Sequence, residues 1–384
     1  MANQFFTPKT ILTGVDALQT SGSYLKQLGS KALIVTDQVM VNTGNADKLI
    51  QILSANGIAF QVYAEVNSEP TDEMVVAGTA LYTTSQCDFL IGLGGGSPID
   101  AMKAIGVMAT NPGRITDYMG QEIKTLPPNL VAIPTTAGTG SEATQFTIIA
   151  DTKNKVKMLL KGAVLLPALA IVDPQLTTTT PAKVTAATGI DALTHAVEAY
   201  TSRKAQPLSD TFALSACKRI FANLRQAYSN GRDLEARNQM ALAALEAGIA
   251  FNNSSVTIVH GMSRPIGALF HVPHGISNAM LITACLRYAV AGAAEKFTDI
   301  AKAVGSFRDG MSDQAAAEEL VKEIGNLCSY LEIPTLAQYG VDRDEFFRNI
   351  AKMADDALQS GSPNNTIKQP TKDEIMQIYQ SLWQ

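Results

Sequence analysis

The sequence predicts a molecule in two parts: an α/β half built on a parallel sheet, then an all-helical half. Three observations carry this. Short apolar runs alternate with helix-like stretches through the first part of the chain. The alternation stops near Asp173-Pro174. Beyond the threonines at 177–180 the apolar residues recur at helical spacing almost to the end.

In order, the runs 32–36, 60–63, 88–93, 130–133 and 169–172 read as strands. Several are unbroken apolar stretches, as expected of parallel strands covered on both faces. Helix-like segments around 45–56, 72–85 and 98–110 lie between them, the order of right-handed βαβ crossovers. Pro181 suits the first turn of a helix. Helices are expected over 182–201, 207–229, 232–251, 276–291 and 313–331, and Thr371 with Glu374 has the spacing of a capping box for a last one. The expected domains are 1–178 and 179–384.

The chain has 384 residues, enough to bury a substantial core, and its 46% hydrophobic and 17% charged residues exclude general disorder. Lys plus Arg number 30 against 35 Asp plus Glu, a net charge of −5. That balance offers no broad footprint for nucleic acid or an anionic membrane, and leaves room only for a local basic pocket. No stretch approaches the roughly 18 apolar residues of a membrane span. The start, Met-Ala-Asn-Gln-Phe-Phe-Thr-Pro, lacks the basic head and apolar core of a secretory signal. Cys87, Cys217, Cys285 and Cys328 are scattered without CxxC spacing, so buried thiols in a cytoplasmic protein are expected.

The run Leu93-Gly94-Gly95-Gly96-Ser97-Pro98-Ile99-Asp100 follows an expected strand and opens an expected helix. Glycines let the backbone approach an anion, and a helix N-terminus offers unpaired N–H groups and a favourable dipole. Ser97 stands where a GxGxxG fingerprint has its third glycine, and a tight turn without ligand is the alternative. Asp37 ends the strand 32–36, where a carboxylate accepts from ribose hydroxyls and repels a 2′-phosphate, or else caps a helix. The run Pro134-Thr135-Thr136-Ala137-Gly138-Thr139-Gly140-Ser141-Glu142 adds hydroxyls and small residues after another strand. Three such features at strand ends point to a dinucleotide, NAD over NADP.

All four histidines, His195, His260, His271 and His274, fall in the helical half. Asp191 and His195 are spaced i, i+4 and leave one helix face, as ligands of one divalent ion or as a capping or surface pair. His260 and His274 meet only if the chain folds back, because Pro265, Gly267 and Pro273 argue against one uninterrupted helix. One Asp with three His suits Fe²⁺ or Zn²⁺, and suits Ca²⁺ or Mg²⁺ poorly. His271 reads as a partly exposed loop residue. Phe146, Phe251 and Phe270 are candidates for lining a short aliphatic substrate, with core packing the alternative.

In combination these motifs resemble the iron-containing alcohol dehydrogenase family, which includes lactaldehyde reductases and 1,3-propanediol dehydrogenases. The resemblance covers nearly the whole chain and rests on 94–100, 134–142, 187–198, and His260-Gly261-Met262 leading to Pro273-His274-Gly275. It implies a Rossmann-like N-terminal NAD-binding domain and an all-α C-terminal metal-binding catalytic domain, an architecture shared with dehydroquinate synthase, with the active site in a cleft. It implies that Asp191, His195, His260 and His274 hold one catalytic ion, usually Fe²⁺, with Zn²⁺ as a substitute. It implies further that Asp37, Gly95, Gly96, Ser97, Thr135, Thr136 and Thr139 contact NAD, with Lys157 an addition and Gly94 and Asp100 part of the same run. The reaction so implied is hydride transfer between a metal-bound short-chain alcohol or diol and NAD, in a cytoplasmic homodimer or larger homo-oligomer with no nucleic-acid or membrane partner.

Two other readings stand beside it. A lyase related to dehydroquinate synthase would need several converging basic residues for a phosphorylated substrate, where only Arg264 and Lys157 stand. A non-catalytic NAD-binding sensor would be expected to have lost a metal ligand, and all four positions are filled. One departure from the family is plain. Many members carry a second histidine four residues after the His260 position, and this chain has Arg264, which does not titrate near neutral pH. Arg264 is left to bind a substrate oxygen or carboxylate, or a cofactor phosphate, and His271 or water to move the proton.

Overall fold

The computed structural model describes residues 2–383 and divides into two compact units, Phe6–Thr180 and the chain from Pro181 onward joined by the N-terminal segment up to Phe5. The first unit runs β1 (Thr10–Thr13), α1 (Gly22–Lys26), β2 (Lys31–Val35), α2 (Gln38–Asn42), α3 (Asn45–Ala55), β3 (Ala59–Tyr63), α4 (Asp72–Thr84), β4 (Phe89–Gly94), α5 (Gly96–Thr110), β5 (Asn129–Pro134), β6 (Phe146–Asp151), β7 (Val156–Lys161) and β8 (Leu169–Val172). Six strands make one parallel sheet in the order β1-β8-β5-β4-β2-β3.

The apolar runs are continuous because both sheet faces are covered. Along β2, Leu33 and Val35 enter one core with Val75 of α4 and Met102 and Ile105 of α5, while Ala32 and Ile34 enter a second with Leu49 and Leu53 of α3. Successive side chains point to opposite faces, so a strand buried on both has no polar turn to take. Two parts of this unit lie outside the expected strands. Strand β1 has the sequence Thr-Ile-Leu-Thr, too short and polar to stand out, and takes its place at the sheet edge by pairing with β8. Strands β6 and β7 form a separate antiparallel hairpin with alternating burial.

The second unit is helical: α6 (Ala182–Tyr200), α7 (Pro207–Ser229), α8 (Leu234–Ser254), α9 (Ile258–Phe270), α10 (His274–Val304), α11 (Asp313–Tyr330), α12 (Leu336–Tyr339), α13 (Arg343–Gln359) and α14 (Lys372–Ser381). Thr371 and Glu374 form the expected capping box of α14. Helix α9 departs from the expectation, since it accommodates Pro265 in its interior. In the turn that the proline disturbs, the His260 carbonyl accepts from Ser263 Oγ (3.2 Å) and the Met262 carbonyl from Tyr379 Oη (2.7 Å). The chain turns by 103° between α8 and α9, and again at His271, which takes a left-handed conformation (φ 54°) as the C-cap of α9.

Helix α10 also corrects the sequence reading. It outruns the expected 276–291, with a break at Ala293, and by length and composition it is long and apolar enough to cross a membrane. Half of that apolar stretch is buried inside the unit, where α10 packs on α6, α7, α9 and α11. Cys87, Cys217 and Cys285 are buried and Cys328 is partly so, all as free thiols. Burial raises the pKa of each, and takes Cys217 and Cys328 to about 12.

Candidate metal centre and nucleotide cradle

One turn of α6 separates Asp191 from His195, so both side chains leave the same face. His260, in the first turn of α9, meets them. One ligating atom each from Asp191, His195 and His260 lie within 4.8 Å of one another, and all three residues are buried. His274 opens α10 immediately after the turn at His271, which supplies the fold-back. Its Nε2 is 3.7 Å from Asp191 Oδ1, and its side chain remains 40% exposed, so it closes the group from the accessible side. The His195 ring stacks on His260 (centroids 4.5 Å apart) and, on its other side, on Phe251 (4.2 Å).

Two residues without a role in the sequence reading complete the arrangement. Glu198 is fully buried, and its Oε2 accepts from His260 Nδ1 at 2.6 Å. Asn278 donates from Nδ2 to Asp191 Oδ1 (2.7 Å) and lies 3.2 Å from His260 Nε2 and 3.1 Å from His274 Nε2. The amide therefore marks the point where a carboxylate and two imidazole nitrogens converge, and its hydrogens stand in for the positive centre those three acceptors would gather around. Such a donor set fits a divalent transition metal. Charge supports the fit. Burial opposes ionisation of Asp191, but the three histidines and Asn278 outweigh it and hold the carboxyl below its usual range. Burial, with His195 and His274 nearby, pushes His260 well below its ordinary value, so it is the neutral imidazole a metal needs. The signal for Glu198 was present as spacing: residues 191, 195 and 198 repeat at i, i+4 and i+7 on one face.

The remaining expected residues of this half are dispersed. Arg264 lies one helical turn beyond His260 on α9 and makes no ion pair among the described residues. Its charge is felt at His260. His271 is exposed at the α9 cap and stands outside the buried Asp191, His195 and His260 group. Phe270 stacks on Phe346 (5.6 Å), packing as core, and Phe146 opens β6 in the other unit.

In the α/β unit, the carboxyl ends of β2, β4 and β5 carry the second arrangement. Gly94 has φ 150°, and a Cβ there would come within 2.6 Å of Pro98 Cγ, so the turn from β4 into α5 requires glycine. A Cβ on Gly96 would meet Thr139 at 3.0 Å, whereas one on Gly95 would find only Thr136, at 3.6 Å. Thr135 N donates to the Gly94 carbonyl (2.9 Å). The loop after β5 thus lies directly on the glycine run, and Ser97 sits half-buried in the first turn of α5, whose N–H groups have no helical partners. Asp37 caps α2, accepting from Met40 N through Oδ1 (2.9 Å), while its Oδ2 is 3.3 Å from where a Gly94 Cβ would stand. Capping and proximity to the glycine run coexist.

Asp100 and Lys157 turn elsewhere. Asp100 Oδ2 accepts from Ile148 N of β6 (2.9 Å), and Lys157 Nζ pairs with Glu69 Oε1 (2.6 Å). The residue that sequence reasoning missed here is Lys103, fully buried in α5. Its ammonium donates to the carbonyls of Ser141 (2.7 Å), Thr144 (2.7 Å) and Phe146 (2.9 Å), fastening the loop after β5 to the helix. Burial lowers Lys103 to about 8 and raises its neighbours Asp100 and Glu142 to about 6 and about 7.

Comparison with known proteins decides what these two arrangements belong to. The iron-containing alcohol dehydrogenase model matches residues 8–174, and the C-terminal model of the Fe-containing alcohol dehydrogenase family matches 185–383. The chain belongs to the iron-containing alcohol dehydrogenase family. This dehydrogenase is 40% identical over 380 residues to the 1,3-propanediol dehydrogenase of Citrobacter freundii, covering 98% of this chain and 97% of that one. It is 37% identical over 377 residues to the NAD-dependent methanol dehydrogenase of Bacillus methanolicus, covering 97% and 98%. Its fold superposes on the crystal structure of a 1,3-propanediol oxidoreductase with a TM-score of 0.96 at 38% identity, each chain fully covered. The enzyme is an oxidoreductase of alcohols and aldehydes.

Proposed function

We propose that this dehydrogenase interconverts a short-chain alcohol or diol and its aldehyde with NAD(H), using one divalent ion, Fe²⁺ or Zn²⁺, held by Asp191, His195, His260 and His274. The observation that carries the reading is the convergence of buried Asp191, His195 and His260, with half-exposed His274 beside them. In this reading residues 1–178 are the NAD-binding domain and 179–384 the catalytic domain. When bound, the ion would lower the pKa of the alcohol or polarise the carbonyl, and the nicotinamide would take or give the hydride.

The chain's own residues do the rest. Asp191 stays ionised and His260 neutral, so neither must shed a proton for the centre to assemble. Phe251, stacked on His195, keeps water from that side. Gly95, Gly96 and Ser97 offer backbone to a pyrophosphate, with Thr135, Thr136 and Thr139 across from them, and Asp37 takes the ribose hydroxyls and opposes a 2′-phosphate. Arg264, a fixed cation that makes no ion pair among the described residues, orients a substrate oxygen or carboxylate. Exposed His271 or water exchanges the proton with solvent. A cytoplasmic homo-oligomer is the form in which we expect the enzyme, consistent with thiols kept reduced.

The test is an anaerobic panel of alcohols and aldehydes with NAD(H) on metal-reconstituted protein, alongside Arg264→Ala. Net NADH formation with short alcohols or diols is expected, with Arg264→Ala raising KM for the alcohol more than for NAD. No turnover of any alcohol by metal-loaded protein would overturn the reading.

A further inference from the structure

We infer that Glu198 is a positioning residue of the metal centre, fixing the tautomer and direction of His260 and tying the two helices that carry the ligands. The inference rests on the metal reading above. A carboxylate oxygen accepts, so with Oε2 at 2.6 Å the proton of His260 is directed to Nδ1. The lone pair is then on Nε2, the nitrogen that faces Asp191 Oδ1 (3.8 Å) and Asn278 Nδ2 (3.2 Å). The other oxygen of Glu198 is held as firmly: Oε1 accepts from Thr257 Oγ1 (2.7 Å) and from Val259 N (2.6 Å). Those donors bracket the start of α9, one of them an N–H that the helix itself leaves without a partner. Glu198 therefore ties α6, which carries Asp191 and His195, to the first turn of α9, which carries His260.

Carboxylates behind metal-bound imidazoles raise ligand basicity, and losing one commonly costs about 10–100-fold in metal affinity.

Glu198→Gln separates this role from that of a strut for α9, because the amide oxygen still accepts from Thr257 and Val259 while the amide nitrogen can no longer accept from His260 Nδ1. Full-length protein stripped of metal would be titrated with Zn²⁺ or Co²⁺ against a chromophoric chelator, with NADH binding measured in parallel. We expect metal affinity to fall about 10–100-fold, the Co²⁺ absorption bands to shift, and NADH affinity to hold. Thr257→Val, which removes one anchor of Glu198, should weaken metal binding by a smaller factor, and it carries the test should the glutamine variant not fold. Wild-type metal affinity in a folded variant overturns the inference. Asp191→Asn tells that failure from a deeper one: if it alone weakens the metal, only the role of Glu198 falls, and if it too leaves affinity unchanged, the metal reading falls with it.

Discussion

Gly94, Gly95 and Gly96 present a surface of backbone in the α/β unit, faced by small hydroxyl residues with the Asp37 carboxylate beside Gly94, whereas in the helical unit Asp191, His195, His260 and Glu198 present side chains gathered from different helices into a buried cluster. The first arrangement is set by one strand–helix turn and the loop that Lys103 fastens against it. The second depends on how α6, α9 and α10 pack. A backbone site is broken by adding atoms and survives most changes of polarity. A side-chain site is broken by removing one donor, even isosterically. The two units should therefore fail under opposite kinds of substitution.

The largest effect is expected from the side-chain site. Asp191→Asn and His260→Ala should each lower turnover by about 10³-fold or more, the order of several kcal/mol that a catalytic metal provides, with NADH affinity within about twofold of wild type. Coupled loss of NADH binding in a folded variant would mean that the two sites are not independent. Next comes Gly95→Ala. The added methyl meets only Thr136 at ordinary contact distance, so thermal stability should hold, while NADH affinity falls about tenfold because the methyl stands where a pyrophosphate would press. Fluorescence titration with NADH checks this, and unchanged affinity would remove the glycine run from the cofactor site. Gly94→Ala should instead lower stability, through its clash with Pro98 and its φ of 150°.

Asp37→Asn sharpens the comparison further. Asparagine keeps the cap on Met40 N and discards the charge, so Tm should not move while the preference for NAD over NADP narrows by roughly tenfold, about 1.4 kcal/mol. A preserved preference would leave Asp37 as a cap alone. The smallest effect concerns Glu142, whose pKa burial raises from its ordinary 4.5 to about 7. Because the folded form resists ionising this carboxyl, wild-type stability declines as pH rises from about 4.5 through about 7. Glu142→Gln does not titrate, so it should melt about 2–4 °C above wild type at pH 8 and lose that margin by pH 4.5. Equal melting temperatures across that range would show that Glu142 is solvated in the folded enzyme.

What could be read from the sequence was whatever local spacing determines. Strands β2, β4, β5 and β8 announced themselves because both faces are buried, and the shared face of Asp191 and His195 follows from helix geometry alone. Strand β1 was silent because its four residues depend on β8 for their place. Helix α9 was hidden by Pro265, which reads as a helix breaker, while the contacts that hold the helix through it come from far away in sequence, among them Tyr379 on the Met262 carbonyl. Asn278 and Lys103 act through distances across 87 and 38 residues, which no spacing rule reports. Asp100 and Lys157 stand in or near suggestive motifs, yet each carboxylate or ammonium has a partner that only the tertiary structure supplies.

The raised thiol pKa values bear on how this enzyme is expected to age in air. Alkylating and oxidising reagents attack the thiolate, and with Cys217 and Cys328 at about 12 and Cys87 and Cys285 also raised, almost none exists at neutral pH. Inactivation on storage is therefore expected to follow the proposed ferrous centre and not the thiols. Activity should return with added ferrous ion under exclusion of oxygen, and preparations stored with iodoacetamide should lose it no faster than those without.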